Sequence, residues 1–290
     1  MEAALNLEFF IAIATMGGLG LLFAAALAIA DKKLRVQENP LIGRVYEALP
    51  NANCGACGYA GCYDFAVQVV EGKAPCSGCP VGGQDTANEV AGIMGMESTE
   101  SVKIVARVLC HGGDREARCK DTAYLGPRSC SAQAIVSGGD KVCSYGCLGG
   151  GDCVEACCFN ALFMNDNGLP TVIDSFCTGC GMCAAACPRG IIEMHPADRD
   201  IFVFCKNHDG PKESKSMCDV ACIGCGICAR KSNGAITMDD YLAVIDHEKL
   251  DPSIIPYDKC PTGAIGYLPG RAPEKQDAPE KTKEEVGAGA

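Results

Sequence analysis

Cys177-Thr-Gly-Cys180-Gly-Met-Cys183-Ala-Ala-Ala-Cys187-Pro188 is the stretch that decides how this chain is read. Its spacing, Cys-x2-Cys-x2-Cys-x3-Cys-Pro, is that of bacterial ferredoxins, in which three cysteines hold one 4Fe–4S cubane and the fourth reaches across to a second. Another run precedes it, Cys143-x3-Cys147-x5-Cys153-x3-Cys157. Between the two, residues 161–164, the turn Asn165-Asp166-Asn167-Gly168 and residues 170–174 read as a β-hairpin, as a ferredoxin βαββαβ core requires. The crossing rule then assigns Cys143, Cys147, Cys153 and Cys187 to one cubane, and Cys177, Cys180, Cys183 and Cys157 to the other. Cys158 stands where proline usually follows the crossing cysteine and reads as a packing residue.

Twenty-three cysteines in 290 residues mean either a disulfide scaffold or a metal protein. The odd number forbids a complete set of disulfides, and the chain is too long to need stapling. Zinc is the rival metal, because Cys-x2-Cys pairs also build structural zinc sites, but three cysteines in a row at that spacing suit a cubane better. The four histidines form no ligand-like pair. A net charge of −11 and a pI near 4.9 make nucleic acid a poor partner. Gly149-Gly150-Gly151 lies inside a cysteine loop and Gly17-Gly18-Leu19-Gly20 inside an apolar run, so neither is a phosphate-cradling fingerprint. No nucleophile–base constellation is visible. The chain reads as an electron carrier without a catalytic site for an organic substrate.

Phe9 to Ala30 carry no charge. At 1.5 Å per residue this run reaches about 33 Å, enough to cross a hydrocarbon core of about 30 Å. A cleaved signal peptide would need a basic start and a shorter apolar region, whereas this N-terminus carries Glu2 and Glu8. Lys32, Lys33 and Arg35 follow the run, which places the large C-terminal part on the cytoplasmic side of the inner membrane by the positive-inside rule. The expected fold class is α+β: a single N-terminal transmembrane helix, a small helical 4Fe–4S domain, then ferredoxin-like 4Fe–4S modules. The boundaries read as an anchor over 1–30, a polar-to-amphipathic connector over 31–46, the small domain over 47–97 and a linking segment over 98–142. A two-cluster module follows over 143–196, then a degenerate module over 197–268 and a Pro-, Lys- and Glu-rich tail over 269–290, expected to be disordered.

In the small domain Cys54-x2-Cys57-x4-Cys62 precedes a helix expected over 63–71, and from spacing alone either Cys76 or Cys79 completes a four-thiolate set. The linking segment offers a strand over 102–108 and three cysteines, Cys110, Cys119 and Cys130, whose spacings match no cluster pattern. A strand over 201–204 ends at Cys205. Then comes Cys218-x3-Cys222-x2-Cys225-x2-Cys228, with Ser232 where a crossing cysteine would stand. Cys260-Pro261-Thr262-Gly263 resembles the end of a ferredoxin half whose own triplet is gone. The two losses agree: Cys222, Cys225, Cys228 and Cys260 make one surviving cubane, and position 232 needs no thiolate. The phrases Cys143-Ser-Tyr-Gly-Cys147-Leu-Gly and Cys218-Asp-Val-Ala-Cys222-Ile-Gly mirror each other, which marks an internal duplication with one half degenerate.

The order of parts, an anchor, then Leu49-Pro50…Asn53-Cys54-Gly55-x-Cys57-Gly58…Cys62…Cys79-Pro80…Gly82-Gly83, then the Cys143–Pro188 module, resembles the B subunits of the Rnf complex, the ion-translocating ferredoxin:NAD oxidoreductase of bacterial and some archaeal membranes. The resemblance covers residues 5–268. It implies that Cys79 rather than Cys76 is the outer ligand of the first cluster. It also implies electron exchange with soluble ferredoxin, relay to membrane and NADH-binding partner subunits, and flavin and nicotinamide sites on other chains. Longer members carry a complete second module, from which this chain departs at Ser232 and before Cys260. Rivals from other classes are a membrane-anchored adaptor for a different reductase and a zinc-stapled scaffold.

Overall fold

The computed structural model describes residues 2–34, 39–97, 102–251 and 257–271; most of the tail expected over 269–290 lies outside them. Helix α1 (Glu2–Leu34) is one 33-residue element whose stretch Ile13–Lys33 has a mean hydropathy of 2.1. Its large apolar side chains, among them Met16, Leu21 and Leu27, are exposed. One long apolar helix with an uncovered surface is compatible with a membrane anchor.

Three helices build the small domain: α2 (Pro40–Ala48), α3 (Cys62–Val70) and α4 (Gly83–Met94). Helix α2 starts where the sequence provides a cap and a pre-set φ, the Asn39 side chain accepting from Leu41 N with Pro40 at the first position. Its Val45 is fully buried against Phe65, Val69 and Val90. The segment read as a connector over 31–46 thus supplies a core helix, and the apolar unit begins at Pro40.

The remainder consists of two copies of one order of elements. In the first, β1 (Ile104–Val108) is followed by an insert carrying α5 (Cys130–Val136), then α6 (Asp152–Glu155), the hairpin β2 (Leu162–Met164) and β3 (Pro170–Val172), α7 (Met182–Ala185) and β4 (Ile192–Pro196). β1 and β4 close the copy as an antiparallel pair, Ile104 opposite Pro196 and Val108 opposite Ile192. In the second, β5 (Ile201–Val203) is followed by α8 (Pro211–Met217), α9 (Ile227–Lys231), the hairpin β6 (Ile236–Asp239) and β7 (Leu242–Ile245), a single 3-10 turn over Tyr257–Lys259, and β8 (Ile265–Tyr267). Here β5 and β8 close the copy, Ile201 opposite Tyr267. The first copy therefore starts at Ile104 rather than at 143, because residues 98–142 contain its first strand.

Local chemistry explains the turns. Asn165 Oδ1 accepts from Asn167 N at 2.9 Å and Leu169 N at 3.1 Å, an Asx-type turn. In β6–β7, Asp240 takes the left-handed conformation at φ 51 that a two-residue hairpin demands. The copies meet at and just beyond the ends of their first strands. Leu109, Phe202 and Phe204 form a shared apolar cluster, the His111 ring stacks on Phe204 with centroids 3.7 Å apart, and His111 N donates to Phe204 O at 3.3 Å. Arg271, just beyond β8, pairs with Asp174 of the first copy and with Asp200.

Candidate metal centres

Three cysteine loops have one backbone. Gly149 and Gly151, Gly179 and Gly181, and Gly224 and Gly226 all lie at positive φ between 63 and 83, a region only glycine enters freely. Each second glycine precedes a helix of four or five residues, α6, α7 or α9. The chain is thereby wrapped so that successive thiols face one point. The first-domain loop has the same means at Asn51, Asn53, Gly55 and Gly58, all at positive φ, with Asn53 Oδ1 accepting from Cys62 N at 2.9 Å.

The thiols converge in groups of four. Cys54, Cys57, Cys62 and Cys79 line one cavity, and Gly82 N donates to Cys79 Sγ at 3.4 Å. Cys76 does not line that cavity and packs instead against the domain core. Cys222, Cys225, Cys228 and Cys260 line another. Cys183 lies within electrostatic reach of Cys177, Cys180 and Cys157; burial first, then those thiols, push it up to about 11. β1 supports this group, Ala106 N donating to Cys177 Sγ at 3.5 Å.

The fourth group differs from the sequence expectation. The cavity holding Cys147, Cys153 and Cys187 is completed by Cys130, not by Cys143. The loop 147–153 has Gly150 where Cys180 and Cys225 stand in the other two loops. A Cβ added to Gly150 would lie 3.0 Å from Cys130 Sγ. Cys130, from the insert, thus places its sulfur where that loop lacks one. Asp152 holds it there, accepting from Cys130 N at 2.6 Å and Ser131 N at 3.0 Å. Burial, reinforced by Cys130, Cys187 and Cys183, pushes the Cys153 thiol up to about 12.

Cys143 has moved to a further cavity that it lines with Cys110, Cys205 and Cys218. Cys119 and Cys158 are exposed, so Cys158, at the position where proline usually follows a crossing cysteine, is not the packing residue expected there. The signal for Cys110 and Cys205 was present in the duplication: each follows the last residue of its copy's first strand by two positions.

Packed thiols with pKa values near 11 or 12 cannot all ionise without a cation among them. A metal core that takes the protons' place supplies it, and a set of four sulfurs fits a 4Fe–4S cubane or a zinc ion. Comparison with known proteins bears on which. Residues 49–81 match the family model for a putative Fe-S cluster, and residues 170–193 the 4Fe-4S binding domain. Over 254 residues, 87% of this chain, it is 41% identical to the B subunit of the Na+-translocating ferredoxin:NAD+ oxidoreductase complex of Acetobacterium woodii, covering 76% of that protein. It is equally similar to the B subunit of the ion-translocating oxidoreductase complex of Methanosarcina acetivorans, covering 96% of it. It is 36% identical to the proton-translocating counterpart from Clostridium ljungdahlii, covering 88% of it. The chain belongs to the Rnf B family.

Family membership and the 4Fe-4S match decide for iron–sulfur clusters over zinc. Ser232 stands four residues past Cys228, as Cys157 stands four past Cys153. It is 4% exposed, its Oγ accepting from Ile236 N at 2.9 Å and donating to Ala229 O at 3.1 Å. Cys157 Sγ likewise accepts from Ala161 N four residues on, at 3.4 Å. The hydroxyl and the thiol thus make the same backbone contact at corresponding positions.

Proposed function

We propose that this chain is the membrane-tethered electron relay of an Rnf-type complex, exchanging electrons with soluble ferredoxin at one end of its cysteine array and with membrane and NADH-binding partner subunits at the other. It is an iron–sulfur electron-transfer subunit of an ion-translocating ferredoxin:NAD+ oxidoreductase. The clusters supply one-electron chemistry; the chain supplies thiolates, amide donors to sulfur and exclusion of water. Cys54, Cys57, Cys62 and Cys79, with Cys157, Cys177, Cys180 and Cys183, with Cys130, Cys147, Cys153 and Cys187, and with Cys222, Cys225, Cys228 and Cys260, are the ligand sets we assign.

The observation that carries this reading is the adjacency of the groups. Cys180 lies within electrostatic reach of Cys54, and Cys183 within reach of Cys153. The small domain therefore joins the array of the first copy, and being next to α1 in sequence it is the side from which electrons leave toward membrane partners. The cytoplasmic placement of the domains follows from Lys32, Lys33 and Arg35. At the far end Arg230 and Lys231 close α9, and Lys259 lies against Lys231, lowering its pKa. This local cationic surface on an acidic chain is where we place the acidic ferredoxin.

Full-length protein purified without oxygen should be brown, bleach on reduction and contain iron and acid-labile sulfide. Cys62→Ala should leave reduction of the other clusters by ferredoxin intact while abolishing turnover of the assembled complex. Colourless zinc protein would defeat the iron–sulfur reading. Unchanged turnover in the variant would defeat the assignment of the exit.

A further inference from the structure

Cys110, Cys143, Cys205 and Cys218 belong to none of those four sets, yet they converge. A Cβ on Gly112 would stand 3.0 Å from Cys218 Sγ and 3.8 Å from Cys110 Sγ; one on Gly146 would stand 3.4 Å from Cys143 Sγ and 3.9 Å from Cys110 Sγ. All four line one cavity between the two copies, and none is in a disulfide. We infer that these four thiols hold a fifth 4Fe–4S cluster, shared between the copies, that joins their clusters into one continuous electron path.

The duplication supports this independently of the cavity. Each copy contributes two cysteines from corresponding positions. Cys110 and Cys205 lie two residues past β1 and β5. Cys143 and Cys218 lie four residues before Cys147 and Cys222, the first loop ligand of their copies. A pair of thiols with no partner in its own copy is completed by the same pair from the other, as at a two-fold interface.

The surroundings are those of a charged, sulfur-rich group. Cys147 N donates to Cys110 Sγ and Asn207 N to Cys205 Sγ, both at 3.5 Å. Asn207 is 1% exposed and lines the cavity. Its Oδ1 accepts from Asp209 N at 2.7 Å, while its buried Nδ2 donates to nothing in the protein, a costly state unless a further acceptor is present. The sulfides and thiolates of a cubane are such acceptors. Lys141, 6% exposed, lines the same cavity, donates to Gly112 O at 3.1 Å and pairs with the exposed Asp114 at 3.4 Å, so a buried cation lies beside the thiols and favours their charged form at Cys110.

The position gives the site its purpose. Cys110 lies within electrostatic reach of Cys147, a ligand of one of the first copy's two clusters, and Cys205 within reach of Cys222, a ligand of the second copy's. Electron transfer falls off steeply with distance, and this tetrad fills the step between the copies. The electron the centre accepts from one side is the one it yields to the other, so no bond, proton or co-reactant is consumed. The inference rests on reading the other four tetrads as iron–sulfur sites.

The test is metal and sulfide analysis with low-temperature EPR on anaerobically purified full-length protein. Wild type should contain about twenty irons. Cys110→Ala and Cys218→Ala, one from each copy, should each lose about four irons and the same single EPR component, while Cys119→Ala and Cys158→Ala lose neither. Lys141→Met, which leaves every ligand in place, should keep all the iron and lower the midpoint potential of that one component. About sixteen irons in wild type, unchanged by Cys110→Ala and Cys218→Ala, would overturn the fifth cluster and leave the other four standing. So would one zinc per chain lost from both variants. Absence of iron altogether would instead sink the iron–sulfur reading as a whole.

Discussion

The two copies, residues 104–196 and 201–267, have the same strands in the same order and differ in what their cysteine loops retain. The first has two loops, 147–153 and 177–183, and a crossing cysteine in each direction, Cys157 and Cys187. The second has one loop, 222–228, and one returning cysteine, Cys260. Where the first copy has Cys157, the second has Ser232, whose hydroxyl is buried and bonded on both sides. Where the second copy has Cys225, the first has Gly150, and an inserted segment delivers Cys130 to the same spot. The cysteines of the loops can thus differ while the strand pairing stays the same, because the β-pairs and the loops are separately determined: one by short apolar runs, the other by glycines at positive φ.

The largest effects should come from ligands that cross. Cys187→Ala should strip the cubane of Cys130, Cys147 and Cys153, about four irons, and spare that of Cys177, Cys180 and Cys183, although Cys187 is nearer to these in sequence. Iron loss confined to the latter set would break the crossed arrangement. Cys130→Ala should cost the same cubane. Adding Gly150→Cys, which restores the loop pattern of the second copy, should not recover it, since the new Cβ would stand 2.3 Å from Arg128 O and 2.7 Å from Cys130 N. Recovery of iron in the double variant would mean that the insert is an accessory rather than the source of the ligand.

A smaller effect is expected in the second copy. Ser232→Ala leaves Ile236 N buried without its acceptor, a cost of about 1–3 kcal/mol; thermal unfolding should register it with no change in iron, and Ser232→Cys should be milder. If Ser232→Ala removes iron, the serine is a ligand and the copies are more alike than their cysteines suggest. The smallest effect is kinetic. Reversing Arg230 and Lys231 to Glu should slow ferredoxin association and flatten its salt dependence, since steering between exposed charges is screened within about 10 Å at 0.1 M salt. An association rate at low salt that ignores the reversal would move the dock away from the second copy. Lys206, also in the second copy, is paired with Glu193, so its charge is already met within the chain.

Much of this was legible in the order of residues. The hairpin over 162–172, the strands near 104 and 201 and the helix from Cys62 follow from apolar runs broken by Asn, Asp and Gly, and each lies where the pattern puts it. The grouping of the thiols was legible only in part. Contiguous spacing brought Cys177, Cys180 and Cys183 together, and Cys222, Cys225 and Cys228. It misdirected Cys143, which has the sequence position of a loop ligand but stands four residues ahead of Cys147, not three. It was silent on Cys110, Cys130, Cys205 and Cys218, because their partners arrive from segments tens of residues away.

What the sequence alone determined is the chemistry: thiolates in excess of any disulfide need, glycines that let backbone amides approach sulfur, an uncharged run long enough to span a bilayer, and a repeat with one half degraded. Each is a property of residue type and near spacing, which the chain carries before it folds. What only the tertiary structure decided is the company each thiol keeps. Cys130 joins Cys147, Cys153 and Cys187 because an insert folds back onto the loop under Asp152, and Cys110 meets Cys205 because the residues at the ends of β1 and β5 pack through Leu109, Phe202 and Phe204. Those contacts depend on long-range packing, whose free energy is set by buried apolar surface distributed over the whole fold rather than by the spacing of the cysteines themselves.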